Sequence, residues 1–194
     1  MALQIPENTV LLLIDIQQGF DDPRLGSRNN PIAEQNISRL LDAWRAASRP
    51  IIHVQHMSTE PTSPFRPGQS GNALKDFARP LSGEPLVQKT VNSAFIGTDL
   101  EARLRAAGSP ALLVVGLTTD HCVSTTIRMA GNLGFKVFVV ADATATFDRR
   151  GYDGRVILAE ELHQCALASL HGEFATVVET AEVLGALQRT ARTA

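Results

Sequence analysis

The sequence predicts one α/β domain over residues 1–194, a doubly wound three-layer sandwich in which six mainly parallel strands lie between two layers of helices. Short apolar runs rich in β-branched residues alternate with longer helical patterns along the whole chain, the order that builds a parallel sheet. Several runs are apolar throughout rather than at every second residue, the mark of strands covered on both faces. The length, 194 residues, matches one domain at roughly 100–200 residues per domain.

Thr9 to Ile16 is the first such strand. Ile32 to Ala47 reads as a helix, because Ile37, Leu40, Leu41 and Trp44 recur at spacings of three and four. Ile51 to Gln55 is a second strand and Leu86-Val87-Gln88 a weaker third. Thr98-Asp99-Leu100-Glu101 has the form of a capping box, opening a helix that stops at Gly108 with Pro110 beyond. Ala111 to Gly116 is the fourth strand, Asp120 to Leu133 a helix ended by Gly134, and Lys136 to Val140 the fifth strand. A long helix is expected over Asp153 to Leu170, then a last strand from Phe174 to Val178 and a final helix capped by Thr180. Two segments break the rhythm. Gln17 to Asn30 is a polar loop. Met57 to Pro85 is longer, holds Pro61, Pro64, Pro67, Pro80 and Pro85, and has room for one short helix around Asn72 to Ala78. Loops of that length in a compact domain serve as lids or binding loops; the plain alternative is a proline-stiffened surface insertion.

Composition narrows the function. Hydrophobic residues make up 44% and charged residues 20%, and the net charge is −2. That balance gives no support to a nucleic-acid partner. No apolar stretch approaches 18 residues and the first residues lack a signal-peptide pattern, so neither a membrane span nor export is expected. With only Cys122 and Cys165, the chain reads as reduced and cytoplasmic.

In an open α/β sheet, ligands bind beyond the carboxyl ends of the strands, where strand order reverses. Three reactive residues fall at such ends: Asp15 closes the first strand, Lys89 follows the third, and Cys122 lies just past the fourth at a helix start. Their types suit acyl transfer. A thiol attacks as thiolate, and a helix N-terminus with a nearby ammonium lowers its pKa, so Lys89 is expected to favour the charged sulfur. Asp15 can take the thiol proton and return it to a leaving amine. Backbone amides from Thr118 to Cys122 can stabilise an oxyanion. Taken singly, each residue has a plain alternative: an inert buried thiol, a turn-capping carboxylate, a solvated lysine. No G-x-G-x-x-G, P-loop or G-x-S-x-G occurs. His53 and His56 are three apart on a strand and so face opposite sides, and His163 and Cys165 are two apart on a helix; neither pair is a metal signature.

Leu12-Leu13-Ile14-Asp15-Ile16-Gln17, Lys89 ahead of Asn92-Ser93-Ala94-Phe95, and Gly116-Leu117-Thr118-Thr119-Asp120-His121-Cys122-Val123 resemble the isochorismatase-like cysteine hydrolases, from Thr9 to about Leu184. The resemblance implies a Rossmann-like sandwich, an Asp15-Lys89-Cys122 triad, a cis peptide at Leu117–Thr118, and oxyanion donors at the N–H groups of Thr118 and Cys122. It implies a small amide-like substrate and a homodimer or homotetramer. Nicotinamidases of this family carry a metal-binding Asp-x-His and a further His after the second strand. This chain has His53-Val54-Gln55-His56-Met57 there, a departure from that pattern, and no metal or other cofactor is expected. Isochorismatases proper cleave a vinyl ether without a thiol, so Cys122 favours a carbon–nitrogen hydrolase, of the kind that small bacterial relatives use on cyclic amides, carbamoyl compounds and simple amides. Two other readings stay open: a vinyl-ether hydrolase with Asp15 as acid, and a non-catalytic binding module.

Phe20, Phe65 and Phe95 are candidates for an apolar pocket wall, with His56 on its floor and Asn92 holding an amide. Arg66 and Gln17 are further polar candidates, and His121 is read as positioning backbone.

Overall fold

A computed structural model describes residues 3–109 and 111–191. In chain order the elements are β1 (Val10–Ile14), α1 (Ala33–Ala46), β2 (Ile51–His56), β3 (Leu86–Lys89), α2 (Leu100–Ala106), β4 (Ala111–Leu117), α3 (Ser124–Asn132), β5 (Lys136–Ala145), β6 (Arg149–Arg150), β7 (Val156–Ile157), α4 (Ala159–Leu170), β8 (Thr176–Val178) and α5 (Thr180–Ala191). Six strands form one parallel sheet in the order β3-β2-β1-β4-β5-β8, and β6 and β7 form a small antiparallel ribbon. The sheet grows in one direction from β1 and in the other from β4, so strand order reverses between these two neighbours, and a crevice opens at their carboxyl ends.

Each face of the sheet has its own core. Leu11 and Leu13 of β1 point to one side, against Ile37, Leu40, Leu41 and Trp44 of α1 and Val183 and Ala186 of α5. Val10, Leu12 and Ile14 point to the other, against Leu100 and Leu104 of α2, Ile127 and Ala130 of α3, and Leu167 and Leu170 of α4. All five β1 residues are buried, which explains the unbroken apolar run. Trp44 fills the largest volume in the first core, and its indole N–H still finds the Thr9 carbonyl at 3.1 Å, as a buried indole requires.

Several boundaries differ from expectation for local reasons. β1 stops at Ile14 because Asp15 takes a left-handed conformation, φ 54°, that ends the ladder. Thr98 does not build a capping box: its hydroxyl donates to the Ala94 carbonyl and accepts from Leu100 N–H, while Glu101 pairs with Arg105. The expected stop at Pro110 lies outside the described residues. Residues Asp153 to Leu158 are not helical. Gly154 has φ 85°, the Asp153 carboxylate accepts from Arg155 N–H, and Gly151 N–H closes the turn on the Arg155 carbonyl. That turn makes the β6–β7 ribbon, and α4 starts at Ala159, whose N–H is taken by the Asp148 carboxylate. β5 runs on to Ala145 through a bulge. Thr180 bonds the Asp142 carboxylate through both its N–H and its hydroxyl rather than capping its own helix.

The long loop after β2 holds two single turns, Ser70–Asn72 and Asp76–Ala78, instead of one short helix. It is fastened to the end of β1: Gln18 N–H donates to the Ala73 carbonyl and Lys75 N–H to the Ile16 carbonyl. No helix of the described residues is long and apolar enough to cross a membrane.

Candidate active site

Asp15, Lys89 and Cys122 meet at the crevice between β1 and β4. Lys89 Nζ lies 2.8 Å from Asp15 Oδ2 and 3.2 Å from Cys122 Sγ. The lysine side chain is fully buried and the carboxylate is 2% exposed. A third neighbour completes the shell, His56 Nδ1 at 3.0 Å. The ammonium donates two hydrogen bonds, to Sγ and to Nδ1, and has the Asp15 carboxylate as its remaining neighbour. Neither Asp15 oxygen has an aligned hydrogen bond among the described residues, so its hold on Lys89 is Coulombic and its lone pairs remain open.

Cys122 sits in a π-turn, Thr119–Val123, where Val123 N–H reaches back to the Thr118 carbonyl. α3 begins only after it. The Leu117–Thr118 peptide is cis. Gly116, with φ 126°, is where β4 passes Ile14, and a side chain there would meet the Ile14 backbone. From behind, His163 of α4 holds the turn, its Nδ1 2.9 Å from Thr119 Oγ1. Beside it the Asp120 carboxylate takes Arg149 Nε at 2.7 Å and Thr146 Oγ1 at 2.5 Å. Burial pushes Asp120 up, but these two partners outweigh it and hold its carboxyl below the usual range.

The electrostatics of the sulfur differ from expectation. Burial first, and the Asp15 carboxylate second, push the Cys122 thiol up to about 12, against the opposing pull of Lys89. The resting group is therefore a thiol beside a carboxylate, not a stored thiolate. Burial, then the Lys89 ammonium, lower the His56 pKa below its ordinary value, so the imidazole facing Lys89 is neutral.

Above these groups opens a cavity of about 230 Å³, lined by Asp15, His56, Asn92, Thr118, His121 and Cys122 on its polar side and by Phe20, Leu25, Phe65 and Phe147 on its apolar side, with Asp148 and Arg149 at the ribbon. Phe20 and Phe65 touch at 4.5 Å between ring centres, and Phe65 meets the His56 ring edge-on. Asp15, His56 and Cys122 also offer three metal-ligand atoms within 4.8 Å of one another. Lys89 Nζ stands within 3.2 Å of all three residues, so an ammonium already supplies the positive charge there.

An isochorismatase domain model matches residues 9–182. The chain belongs to the isochorismatase family. An isochorismatase-family protein of Bacillus subtilis, YrdC, is 43% identical over 95% of this chain and 98% of its own. A solved isochorismatase-family structure from Chromobacterium violaceum is 48% identical and superposes with a TM-score of 0.94 over 97% of this chain and 98% of that one. An isochorismatase structure from Pseudomonas putida, 35% identical, gives 0.85 over 93% of each.

In this isochorismatase-family protein, Phe20, His56, Phe65 and Asn92 line the cavity. Phe95 does not: its ring packs near Phe135 at 6.2 Å in the second core, because the turn after β3 directs it inward. Gln17 is buried and spends its amide on the backbone of His56 and Asn72. Arg66 is exposed and off the cavity wall. Sequence reasoning missed Leu25, Phe147, Asp148 and Arg149, which the ribbon and the first loop bring in. His121, read as positioning backbone, puts its side chain on the wall as well.

Proposed function

We propose that this isochorismatase-family hydrolase cleaves a small amide or another carbon–nitrogen bond through an acyl-thioester on Cys122, without a metal. The observation that carries the reading is Lys89 Nζ at 2.8 Å from the Asp15 carboxylate and 3.2 Å from Sγ, at the floor of a cavity of about 230 Å³. Among similar proteins, nicotinamidase 3 of Arabidopsis thaliana is 31% identical over 87% of this chain, and a ureidoacrylate amidohydrolase of Methylobacterium radiotolerans is 28% identical over 94%. Both names describe carbon–nitrogen hydrolysis.

The reaction follows from the resting protonation. As Sγ bonds to the carbonyl carbon, its proton passes to the open lone pair of Asp15, and the carbonyl π pair moves onto oxygen. The N–H groups of Thr118 and Cys122 receive that oxyanion. Lys89 balances the charge of whichever partner, Asp15 or sulfur, is anionic. The intermediate collapses with loss of the nitrogen, which takes the proton from Asp15. Water then gives a proton to Asp15 while its oxygen attacks the thioester, and the sulfur leaves with that proton restored.

The test is an ammonia-release screen over primary, cyclic and carbamoyl amides, run beside Cys122→Ala. Turnover that vanishes in the variant is the expected result. Full turnover in Cys122→Ala would sink the mechanism. A vinyl-ether hydrolase would instead tolerate Cys122→Ala, lose activity in Asp15→Asn and release pyruvate from isochorismate.

A further inference from the structure

His56 is the group that the reaction above leaves without a task. Its Nδ1 is 3.0 Å from Lys89 Nζ. An ammonium only donates, so Nδ1 is the acceptor and the ring proton must sit on Nε2. That nitrogen has no hydrogen-bond partner among the described residues, and it is not one of the sealed polar atoms. His56 is on the cavity wall, so an N–H donor of fixed tautomer faces the space that substrate enters. The titratable groups around the ring are Lys89 from β3, Asp15 from the end of β1 and Cys122 from the π-turn. The backbone of His56 is fixed as well: its main-chain N–H donates to Gln17 Oε1 at 2.9 Å, and its main-chain carbonyl takes Asn72 Nδ2 at 2.9 Å and Gln17 Nε2 at 3.1 Å.

We propose that His56 is a fourth working member of this site: through Nδ1 it is the third partner that aims the Lys89 ammonium at Asp15 and Sγ, and through Nε2–H it binds an acceptor atom on the substrate. The proposal rests on the hydrolytic reading and deepens it. It assigns the substrate class as an amide that carries a further carbonyl oxygen or unprotonated ring nitrogen, held beside an apolar body of a size to fit against Phe20, Phe65 and Phe147. The Lys89 arm also explains why this lysine is the buried one. Two hydrogen bonds, to His56 Nδ1 and Cys122 Sγ, and the Asp15 carboxylate at 2.8 Å together surround the ammonium with polar partners rather than apolar packing.

The two arms separate by substitution, because an asparagine oxygen stands where Nδ1 does and a glutamine amide reaches where Nε2 does. Two readouts are used: the rate at which iodoacetamide alkylates Cys122 in a Cys165→Ser background, and steady-state kinetics on the best amide of the ammonia-release screen. His56→Asn keeps the Lys89 acceptor and loses the cavity donor. It is expected to alkylate within about twofold of the parent and to raise KM about tenfold with kcat little changed, the factor carried by one ordinary hydrogen bond. His56→Gln is expected to slow alkylation and lower kcat by about tenfold while KM moves less. His56→Ala is expected to show both losses. Alkylation of His56→Ala at the parent rate, or equal impairment in His56→Asn and His56→Ala, would overturn the Lys89 arm. An unchanged KM in His56→Asn would overturn the substrate arm. If Cys122→Ala abolishes turnover while every His56 variant behaves as the parent, this inference fails and the hydrolytic reading stands. If Cys122→Ala retains full turnover, the hydrolytic reading itself fails.

Discussion

Gly116 and Ile14 sit opposite each other on β4 and β1, so close that a Cβ on Gly116 would be driven into the Ile14 carbonyl. Asp15 follows Ile14 directly, and Gly116 opens the turn that leads to Cys122. The spacing of Asp15 and Cys122 is therefore set by a missing side chain. Gly116→Ala adds the clash to a backbone at φ 126° that alanine rarely adopts. The expected outcome is a loss of about 3 kcal/mol or more in a denaturant melt, with turnover lost even at temperatures where the variant stays folded. A variant with the parent's stability and activity would show that the two strands can part without cost.

Asp15→Asn is expected to move two activities in opposite directions. The Asp15 charge is the second largest cause that raises the Cys122 thiol, after burial. Removing it lowers the thiol pKa and increases the thiolate fraction at pH 8. Iodoacetamide alkylation, measured by mass spectrometry with Cys165 replaced by serine, should then speed up. Amide turnover should fall by at least about a hundredfold, because no base is left to take and return the proton. In the parent, with the thiol at about 12, alkylation without substrate should stay slow through pH 9 and keep rising beyond it.

Asn72 ties the long loop to the active-site wall. Its side-chain amide donates to the carbonyls of Phe65 and His56, and its own carbonyls receive Gln17 and Gln55. Asn72→Ala removes the two hydrogen bonds its side chain donates, while the Phe65 carbonyl keeps Ser58 N–H and the His56 carbonyl keeps Gln17 Nε2, and should cost about 1–2 kcal/mol in stability. At a temperature well below the melt, KM should rise more than kcat falls, because the Phe65 wall is displaced while Asp15, Lys89 and Cys122 are untouched. A melt shift with unchanged KM would limit Asn72 to a structural role.

The stability of the sheet edge should depend on pH. His53 is 1% exposed and 2.8 Å from Glu84, which also pairs with Arg45. Arg45 above all holds the Glu84 carboxyl at about 2, and burial lowers the His53 pKa against the opposing effect of Glu84. Below pH 6.5 the unfolded chain binds a proton at His53 more readily than the folded one. From about pH 4.5 towards 2 it does the same at Glu84. Both contributions are present at neutral pH and fade on acidification. The denaturation midpoint should fall from pH 7 to pH 3, and Glu84→Gln should flatten the lower part of that fall.

The architecture was legible because β1, α1 and β4 are written in periodicity that local chemistry cannot disguise. Asp15, Lys89 and Cys122 stand at strand ends, so the topology alone predicts that they converge. What escaped was non-local or depended on one turn. Gly151 and Gly154 with Asp153 convert an apparent helix start into the β6–β7 ribbon, and with it Asp148 and Arg149 come to the cavity. The π-turn before α3 adds one residue that no hydrophobic period records. The raised thiol pKa comes from desolvation and from Asp15, whose effect is visible only once the two are neighbours. Phe95 turned inward because its aromatic partner, Phe135, lies 40 positions away.

The fastening of the long loop at Asn72 to Lys75 has a thermodynamic consequence. A flap that closes over its guest must be ordered at each encounter, and that entropy is subtracted from the affinity. Here the wall bearing Phe65 is organised during folding, so the chamber is preformed on that side. Discrimination among guests should then come from rigid shape matching at the aromatic face, and binding should show little heat-capacity change beyond that of the apolar surface it covers.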